Sequence, residues 1–266
     1  MRIGFIGAGA MAEALIKGII DSGHLKREAV VCSDVSPERL RYITETYGIT
    51  GNNDNGAAVE SSDVVILCVK PQVMDCVLKD IKSCISPDKT IVSVAAGIST
   101  AFVEKRLGSN VPVVRVMPNT PCLIGRGVSA VSLGSSAGET QREIVHGLFS
   151  AVGSVLDVPE HLMNAVTAVS GSGPAYVFLI LEALIDGGVT IGLPRDTAES
   201  LAVATFAGAA EMAVETGIHP AVLKAKVMSP GGTTAAGIYE LEDGRVRAVF
   251  SKALEAACER ADRLGE

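Results

Sequence analysis

The N-terminal stretch Arg2-Ile-Gly-Phe-Ile-Gly-Ala-Gly-Ala-Met-Ala-Glu-Ala-Leu-Ile-Lys-Gly18 decides how the rest of the chain is read. Ile3, Phe5 and Ile6 form a short apolar run of strand type, and Met11, Ala14, Leu15 and Ile19 recur at helical spacing. Between the two periodicities lies G-x-G-x-x-A, written by Gly7, Gly9 and Ala12. Gly7 permits a tight strand-to-helix turn. Gly9 lets a pyrophosphate approach backbone without meeting a Cβ, and Ala12 lets the helix pack close to the strand. The helix start then offers free N–H groups and partial positive charge to phosphate. The pattern points to dinucleotide binding.

Working outward, 266 residues suit one large domain or two ordinary ones. Aromatics are only 4% and Trp is absent, so the core is built from Ala, Val, Leu and Ile. A net charge of −7 with no Lys/Arg run speaks against nucleic acid as a partner. The six cysteines show neither C-x-x-C nor a zinc spacing, and several lie in apolar runs. Reduced, buried thiols and a cytoplasmic location without a secretory leader are expected. Leu162 to Leu181 carries no charge, but Gly171, Gly173 and Pro174 are expected to interrupt it. Only Ala175 to Leu181 is densely apolar, too short to cross a bilayer. It reads as a core helix, not a membrane span.

Apolar strand-type runs recur at Ala29–Ser33, Asp63–Val69, Thr90–Val94, Val111–Val116, Gly127–Val131 and Val155–Val158, with helical patterns between. One such pattern runs through Val73, Val77, Leu78 and Ile81. Alternation of this kind predicts a parallel, doubly wound (Rossmann-type) sheet over residues 1–158. Ser36-Pro37-Glu38 is a helix start, with a capping hydroxyl and Pro in the first turn. Asp34 closes the second strand, where a carboxylate accepts from a ribose 2′-OH and repels a 2′-phosphate. It leans toward NAD(H), although Asp34 also serves as a turn residue and Ser36 and Arg39 suit a 2′-phosphate. Lys70, Ala95-Ala96-Gly97 and Pro118-Asn119-Thr120 follow strand ends, on the edge where open α/β sheets bind ligands.

From Pro159 onward the periodicity is helical alone, giving an all-helical domain over 159–266. The Ala-dense stretch Ala202 to Ala213 favours close helix packing, and a partner subunit is expected. Ser170-Gly-Ser-Gly-Pro-Ala-Tyr176 is predicted to be a loop between two helices. Ser229-Pro-Gly-Gly-Thr-Thr234 precedes another helix, and its glycines free the backbone to curl around a carboxylate. The four histidines lack catalytic companions and suit capping or solvated roles.

Taken together, several segments resemble the pyrroline-5-carboxylate reductase family. They are Gly4-Phe-Ile-Gly-Ala-Gly9, Val69-Lys-Pro-Gln72, Ala95-Ala-Gly97, Arg115-Val-Met-Pro-Asn-Thr-Pro121, the Ser170–Tyr176 segment, His219-Pro220 and Ser229–Thr234. They occur in family order along essentially the whole chain. The resemblance implies NADPH- or NADH-dependent reduction of 1-pyrroline-5-carboxylate to L-proline, in a homodimer of interlocked C-terminal helices. Such dimers are often assembled further into a ring (a decamer). By position, Ile6, Gly7, Ala8, Gly9, Ala10 and Met11 would face the cofactor. Asn55, Cys68, Val69, Lys70, Pro71, Val94, Ala95, Ala96 and Gly97 would join them, with Asp34 and Ser36 at the ribose. Ser229, Gly232 and Thr233 would hold the substrate carboxylate, Asn119 would also bind substrate, and Thr234 would bind it as well, donating to the ring nitrogen as the catalytic residue. The family favours NADPH, which pulls against Asp34. A β-hydroxyacid dehydrogenase shares the layout but needs a lysine that Pro174 to Ile185 lacks. A non-catalytic redox sensor would not need the Ser229–Thr234 segment.

Overall fold

The computed structural model describes residues 1–108 and 110–264. It divides into two compact units, Met1–Ser172 with a C-terminal piece from Ala256, and Gly173–Glu255. In the first unit β1 (Ile3–Ile6), α1 (Ala10–Asp21), β2 (Val30–Ser33), α2 (Pro37–Tyr47), β3 (Thr50–Asn52), α3 (Asn55–Glu60) and β4 (Val64–Leu67) follow one another. Next come α4 (Met74–Ile81), β5 (Thr90–Ser93), α5 (Thr100–Leu107), β6 (Val113–Met117), β7 (Gly127–Leu133), α6 (Glu139–Ser150) and β8 (Gly153–Asp157). The eight strands form one sheet in the order β3-β2-β1-β4-β5-β6-β7-β8.

Side chains of β1 alternate between the two faces of the sheet. Ile3 and Phe5 pack with Leu15, Ile16 and Ile19 of α1 and with Leu148 and Phe149 of α6. Ile6 points the other way, with Val65 and Leu67 of β4, onto Met74, Leu78 and Ile81 of α4. Each such fully buried side chain contributes about 2 kcal/mol of transfer free energy. α2 starts as its sequence indicates: the Ser36 hydroxyl accepts the Arg39 N–H at 3.2 Å, with Pro37 in the first turn. One strand departs from the all-parallel expectation. β7 runs antiparallel to β6. The connection carries only the 3₁₀ turn Thr120–Ile124, too short for the crossover that a parallel return requires.

The unit continues with α7 (Met163–Val166) and a π-turn at Thr167–Gly171. Here the loop expected at Ser170–Tyr176 is corrected. The Ser172 N–H reaches back to the Thr167 carbonyl at 2.8 Å, and α8 (Gly173–Thr190) starts at once. Pro174 sits in the first turn of α8, and its missing N–H leaves the Ser170 carbonyl to another donor. The expected interruption of the apolar run fails for the same reason: helical conformation extends over Glu160–Thr190, which is long and apolar enough to cross a membrane, with mean hydropathy 1.6.

The second unit holds α8, α9 (Arg195–Thr216), α10 (Pro220–Val227), α11 (Thr233–Asp243) and part of α12 (Val246–Leu264). α8 and α9 pack closely through small residues: a Cβ on Gly188 would lie 3.1 Å from that of Ala198. The His219 ring caps α10 by accepting the Ala221 N–H at 3.2 Å. Most large apolar side chains of this unit stand in solvent, among them Phe178, Leu179, Val214 and Tyr239, each more than 60% exposed.

One buried charge fastens the first unit. Arg115, on β6, is 4% exposed. It donates to Asn164 Oδ1 at 2.7 Å and lies 3.7 Å from the Glu160 carboxylate. Burial pulls its pKa below the usual arginine range, and Glu160 opposes that pull. The two Glu160 oxygens also accept the Thr100 N–H and hydroxyl, each at 2.6 Å. Removing this carboxylate strands a buried cation and an orphan N–H. Glu160→Ala is expected to lower unfolding free energy by about 2–3 kcal/mol, less than a wholly buried pair would lose. Urea unfolding at fixed protein concentration measures it, and a change below about 0.5 kcal/mol would show that solvent replaces Glu160 freely.

Candidate active site

The strand order reverses between β1 and β4. At such a switch point the loops leaving the two strands diverge and open a crevice at their C-terminal ends. The first turn sits there. Gly7 adopts φ +97° and donates its N–H to the Ser33 carbonyl at 2.8 Å. A Cβ on Gly7 would lie 2.9 Å from the Cys68 carbonyl oxygen, so both conformation and crowding require glycine. Gly9 differs. Its φ is −66°, open to any residue, and a Cβ there would meet nothing within 4 Å. The protein itself gives no reason for glycine at this position. The open space lies against the N-terminus of α1, whose free N–H groups suit an anion. Ala12 is fully buried.

Below the turn lies a cavity of about 470 Å³ lined by Ile6, Gly7, Asp34, Val35, Asn55, Val69, Val73, Cys76, Val77 and Asp80. It gathers several residues singled out in the sequence: Ile6, Gly7, Asp34, Asn55 and Val69. The Asp34 carboxylate accepts the Ala8 N–H at 2.7 Å and the Ser36 N–H at 2.8 Å, tying the end of β2 to the glycine turn. Asn55 accepts from the Ser33 hydroxyl at 2.7 Å and donates to Asp80 at 2.9 Å. Gly9 and Ala10 are exposed at the mouth of the turn, and Met11 is half-buried. Cys68 and the exposed Lys70 follow β4, with Pro71 opening a 3₁₀ turn. Val94, Ala95, Ala96 and Gly97 follow β5, where Gly97 turns with φ +77°. Lys70, Pro71 and the Val94–Gly97 segment lie at strand ends but outside the lining of this cavity. Burial pushes the Cys32 thiol up to about 12 and raises that of Cys68 as well, so neither is a thiolate nucleophile.

Some lining residues escaped the sequence reading. Val73 and Val77 were placed with Leu78 and Ile81 on a single helical stripe. In the structure Met74, Leu78 and Ile81 are buried in the core, Val77 packs at its margin and also lines the cavity, and Val73 lines the cavity and is 47% exposed. Val35 is 94% exposed. An apolar pair at i, i+4 outside the core stripe was the available signal.

Asn119, 8% exposed, has both ends of its amide engaged. It donates to the Ser170 carbonyl at 3.1 Å and accepts the Val128 N–H at 3.0 Å. Pro174 cannot supply the helical N–H to Ser170, and Asn119 fills that place.

In the second unit Ser229–Thr234 forms its own turn. Gly231 takes φ +68° and Gly232 caps α11 from an extended conformation. Gly232 N–H bonds the Ser229 carbonyl at 3.0 Å, and a Cβ on Gly232 would collide with the Ser229 hydroxyl. No side chain caps α11 and no acid lies in its first turn, so the N–H groups of Thr233 and Thr234 point outward without an intrahelical partner. Such a start suits an anion.

A glycine turn, a switch-point cavity and an acid at the end of β2 define a dinucleotide-dependent oxidoreductase. Residues 160–264 match the family model for pyrroline-5-carboxylate reductase dimerisation, and residues 2–97 match that for NADP oxidoreductase, coenzyme F420-dependent. The chain is 46% identical to the pyrroline-5-carboxylate reductase of Corynebacterium melassecola, over 99% of this chain and 98% of that one. It is 46% identical to that of Arabidopsis thaliana, over 100% and 96%. The crystal structure of Plasmodium falciparum pyrroline carboxylate reductase with NADP bound aligns with TM-score 0.92 at 33% identity, over 100% of this chain and 98% of that chain. The chain belongs to the pyrroline-5-carboxylate reductase family.

The open space at Gly9 makes a specific demand. Gly9→Val is expected to abolish binding of NADH and NADPH in calorimetry while far-UV circular dichroism and melting temperature stay near wild type. Retained affinity would remove the turn from the binding site.

Proposed function

We propose that this protein reduces 1-pyrroline-5-carboxylate to L-proline with NADPH or NADH, the final step of proline synthesis. What carries this reading is that one chain, alike end to end to such reductases, holds a phosphate cradle at Gly9 and a carboxylate-ready helix start at Gly232. When bound, the reduced nicotinamide supplies a hydride to the ring C=N. The chain's own tasks are to bind and orient, with Thr234 holding the ring nitrogen by a hydrogen bond more than acting as an acid. The glycine turn and the N-terminus of α1 hold the pyrophosphate, with Asp34 and Ser36 at the ribose and Asn55, Val69 and Val94–Gly97 along the remaining cofactor. Ser229, Gly232 and Thr233 hold the carboxylate through hydroxyl and backbone N–H groups, so no lysine or arginine is needed. Thr234 donates to the ring nitrogen. Asn119 supports this machinery through the π-turn it fastens.

We further assign residues 1–158 to the dinucleotide and 159–266 to dimerisation and substrate. The bare apolar surface of α8 and α9 supports a dimer, and a ring of such dimers rests on the family resemblance alone. Phe178, Leu179, Leu201 and Val214 are each more than half exposed, apolar surface that a partner would cover. A second copy covers the apolar run Glu160–Thr190 better than a bilayer, because Glu182 and Asp186 lie within it. The protein is then a soluble cytoplasmic enzyme, with no membrane or nucleic-acid partner.

Absorbance of NADH or NADPH at saturating cofactor is expected to fall when 1-pyrroline-5-carboxylate is added. No turnover with either cofactor would sink the proposal. Thr234→Ala should lower kcat/KM for pyrroline-5-carboxylate about 100-fold, the low end for positioned proton donors, with cofactor Kd unchanged. Thr234→Ser should keep most activity. Wild-type rates in the alanine variant would reduce Thr234 to a helix-start residue. Light scattering should give a mass of at least a dimer, and an active monomer at assay concentration would contradict the assigned interface.

A further inference from the structure

One charged cluster beside the glycine turn has no part in the chemistry above. Glu13, in the first turn of α1, is joined by Arg39 Nη2 in a short ion pair, by the Tyr42 hydroxyl at 3.1 Å and by the Tyr47 hydroxyl at 3.0 Å. Arg39 also donates Nε to the Ala8 carbonyl at 2.5 Å, and its guanidinium lies 4.9 Å from the Tyr42 ring centre. The pair is partly withdrawn from water, with Arg39 31% and Glu13 17% exposed. Burial pushes the Glu13 carboxyl up, but the bonds from Arg39, Tyr47 and Tyr42 together overcome it and leave the pKa below the usual range. Glu13 is therefore a charged, fully engaged acceptor at neutral pH.

Arg39 is the residue that the turn after β2 offers to a ribose 2′-phosphate, since it follows Asp34 on the same connection. Its Nε and Nη2 are engaged by the Ala8 carbonyl and by Glu13, which fixes the guanidinium over the glycine turn. The cavity lining contains two acids, Asp34 and Asp80, and no lysine or arginine. A 2′-phosphate, carrying nearly two negative charges, would meet carboxylates without a free cation. A 2′-hydroxyl would meet Asp34 as an acceptor.

We propose that Glu13 sets the cofactor preference: by clamping Arg39, in the first turn of α2, across the glycine turn it withholds that cation from a 2′-phosphate and makes the site prefer NADH. The proposal rests on the dinucleotide-dependent reading above. Glu13 also adds negative potential near the pyrophosphate, but that acts on both cofactors alike, so the ratio of affinities is the informative quantity.

Calorimetry with NADH, NADPH, adenosine 5′-monophosphate and adenosine 2′,5′-bisphosphate tests it. Wild type is expected to bind NADH more tightly than NADPH. Glu13→Gln keeps acceptors for the tyrosines but frees Arg39, and should shift the NADPH:NADH affinity ratio about tenfold toward NADPH, with the same shift between the two adenosine fragments. Adding Arg39→Gln to that variant should erase the shift. Arg39→Gln alone should leave the wild-type ratio unmoved, and it decides the matter if Glu13→Gln does not fold. A wild type that prefers NADPH, an unmoved ratio in Glu13→Gln, or a selective loss of NADPH in Arg39→Gln each overturns the proposal. Absence of binding by either dinucleotide to wild type overturns the underlying reading as well.

Discussion

Two backbone hydrogen bonds hold the first turn in place, and the rest of the nucleotide half depends on them. Gly7 N–H bonds the Ser33 carbonyl and Cys68 N–H bonds the Ile6 carbonyl, both at 2.8 Å. They extend the ladders of β2 and β4 one step past the strand ends and stretch the turn between two neighbours. Only a residue without Cβ tolerates φ +97° within 2.9 Å of the Cys68 carbonyl oxygen. Asp34 then fastens the next N–H, that of Ala8, and so ties the end of β2 to the glycine turn. Gly9 is left over the open N-terminus of α1, with room that the protein does not fill.

The same economy explains the second unit. Its turn at Gly231–Gly232 leaves donors free at the start of α11. Its helices bury little against one another besides the small-residue seam of Gly188 and Ala198. Its large apolar side chains stay largely exposed, and a partner that supplies the other side would stabilise them.

What the sequence revealed followed the strength of local signals. Continuous apolar runs marked β1, β4, β5 and β6, because strands covered on both faces need nothing else. Ser36-Pro37 marked the start of α2, and the paired glycines marked the turns that precede α1 and α11. The three-residue β3 was invisible: Thr50-Gly51-Asn52 has no apolar content, and its place at the sheet edge comes from pairing with β2. The direction of β7 depends on connection length, which periodicity does not report. The π-turn was missed because Gly and Pro normally end helices, whereas here Asn119 takes over the carbonyl that Pro174 leaves without a donor. The Glu13–Arg39 pair joins residues far apart in the chain, so no spacing rule announces it.

The central claim is that a dinucleotide held at the first turn delivers hydride to the C=N carbon of a small cyclic imino acid. Turnover of 1-pyrroline-5-carboxylate with NADH carrying two deuteriums at nicotinamide C4, followed by mass spectrometry of the product, addresses it most directly. The account predicts L-proline heavier by one deuterium, located at C5. Proline formed without the label, or labelled at another carbon, would contradict it.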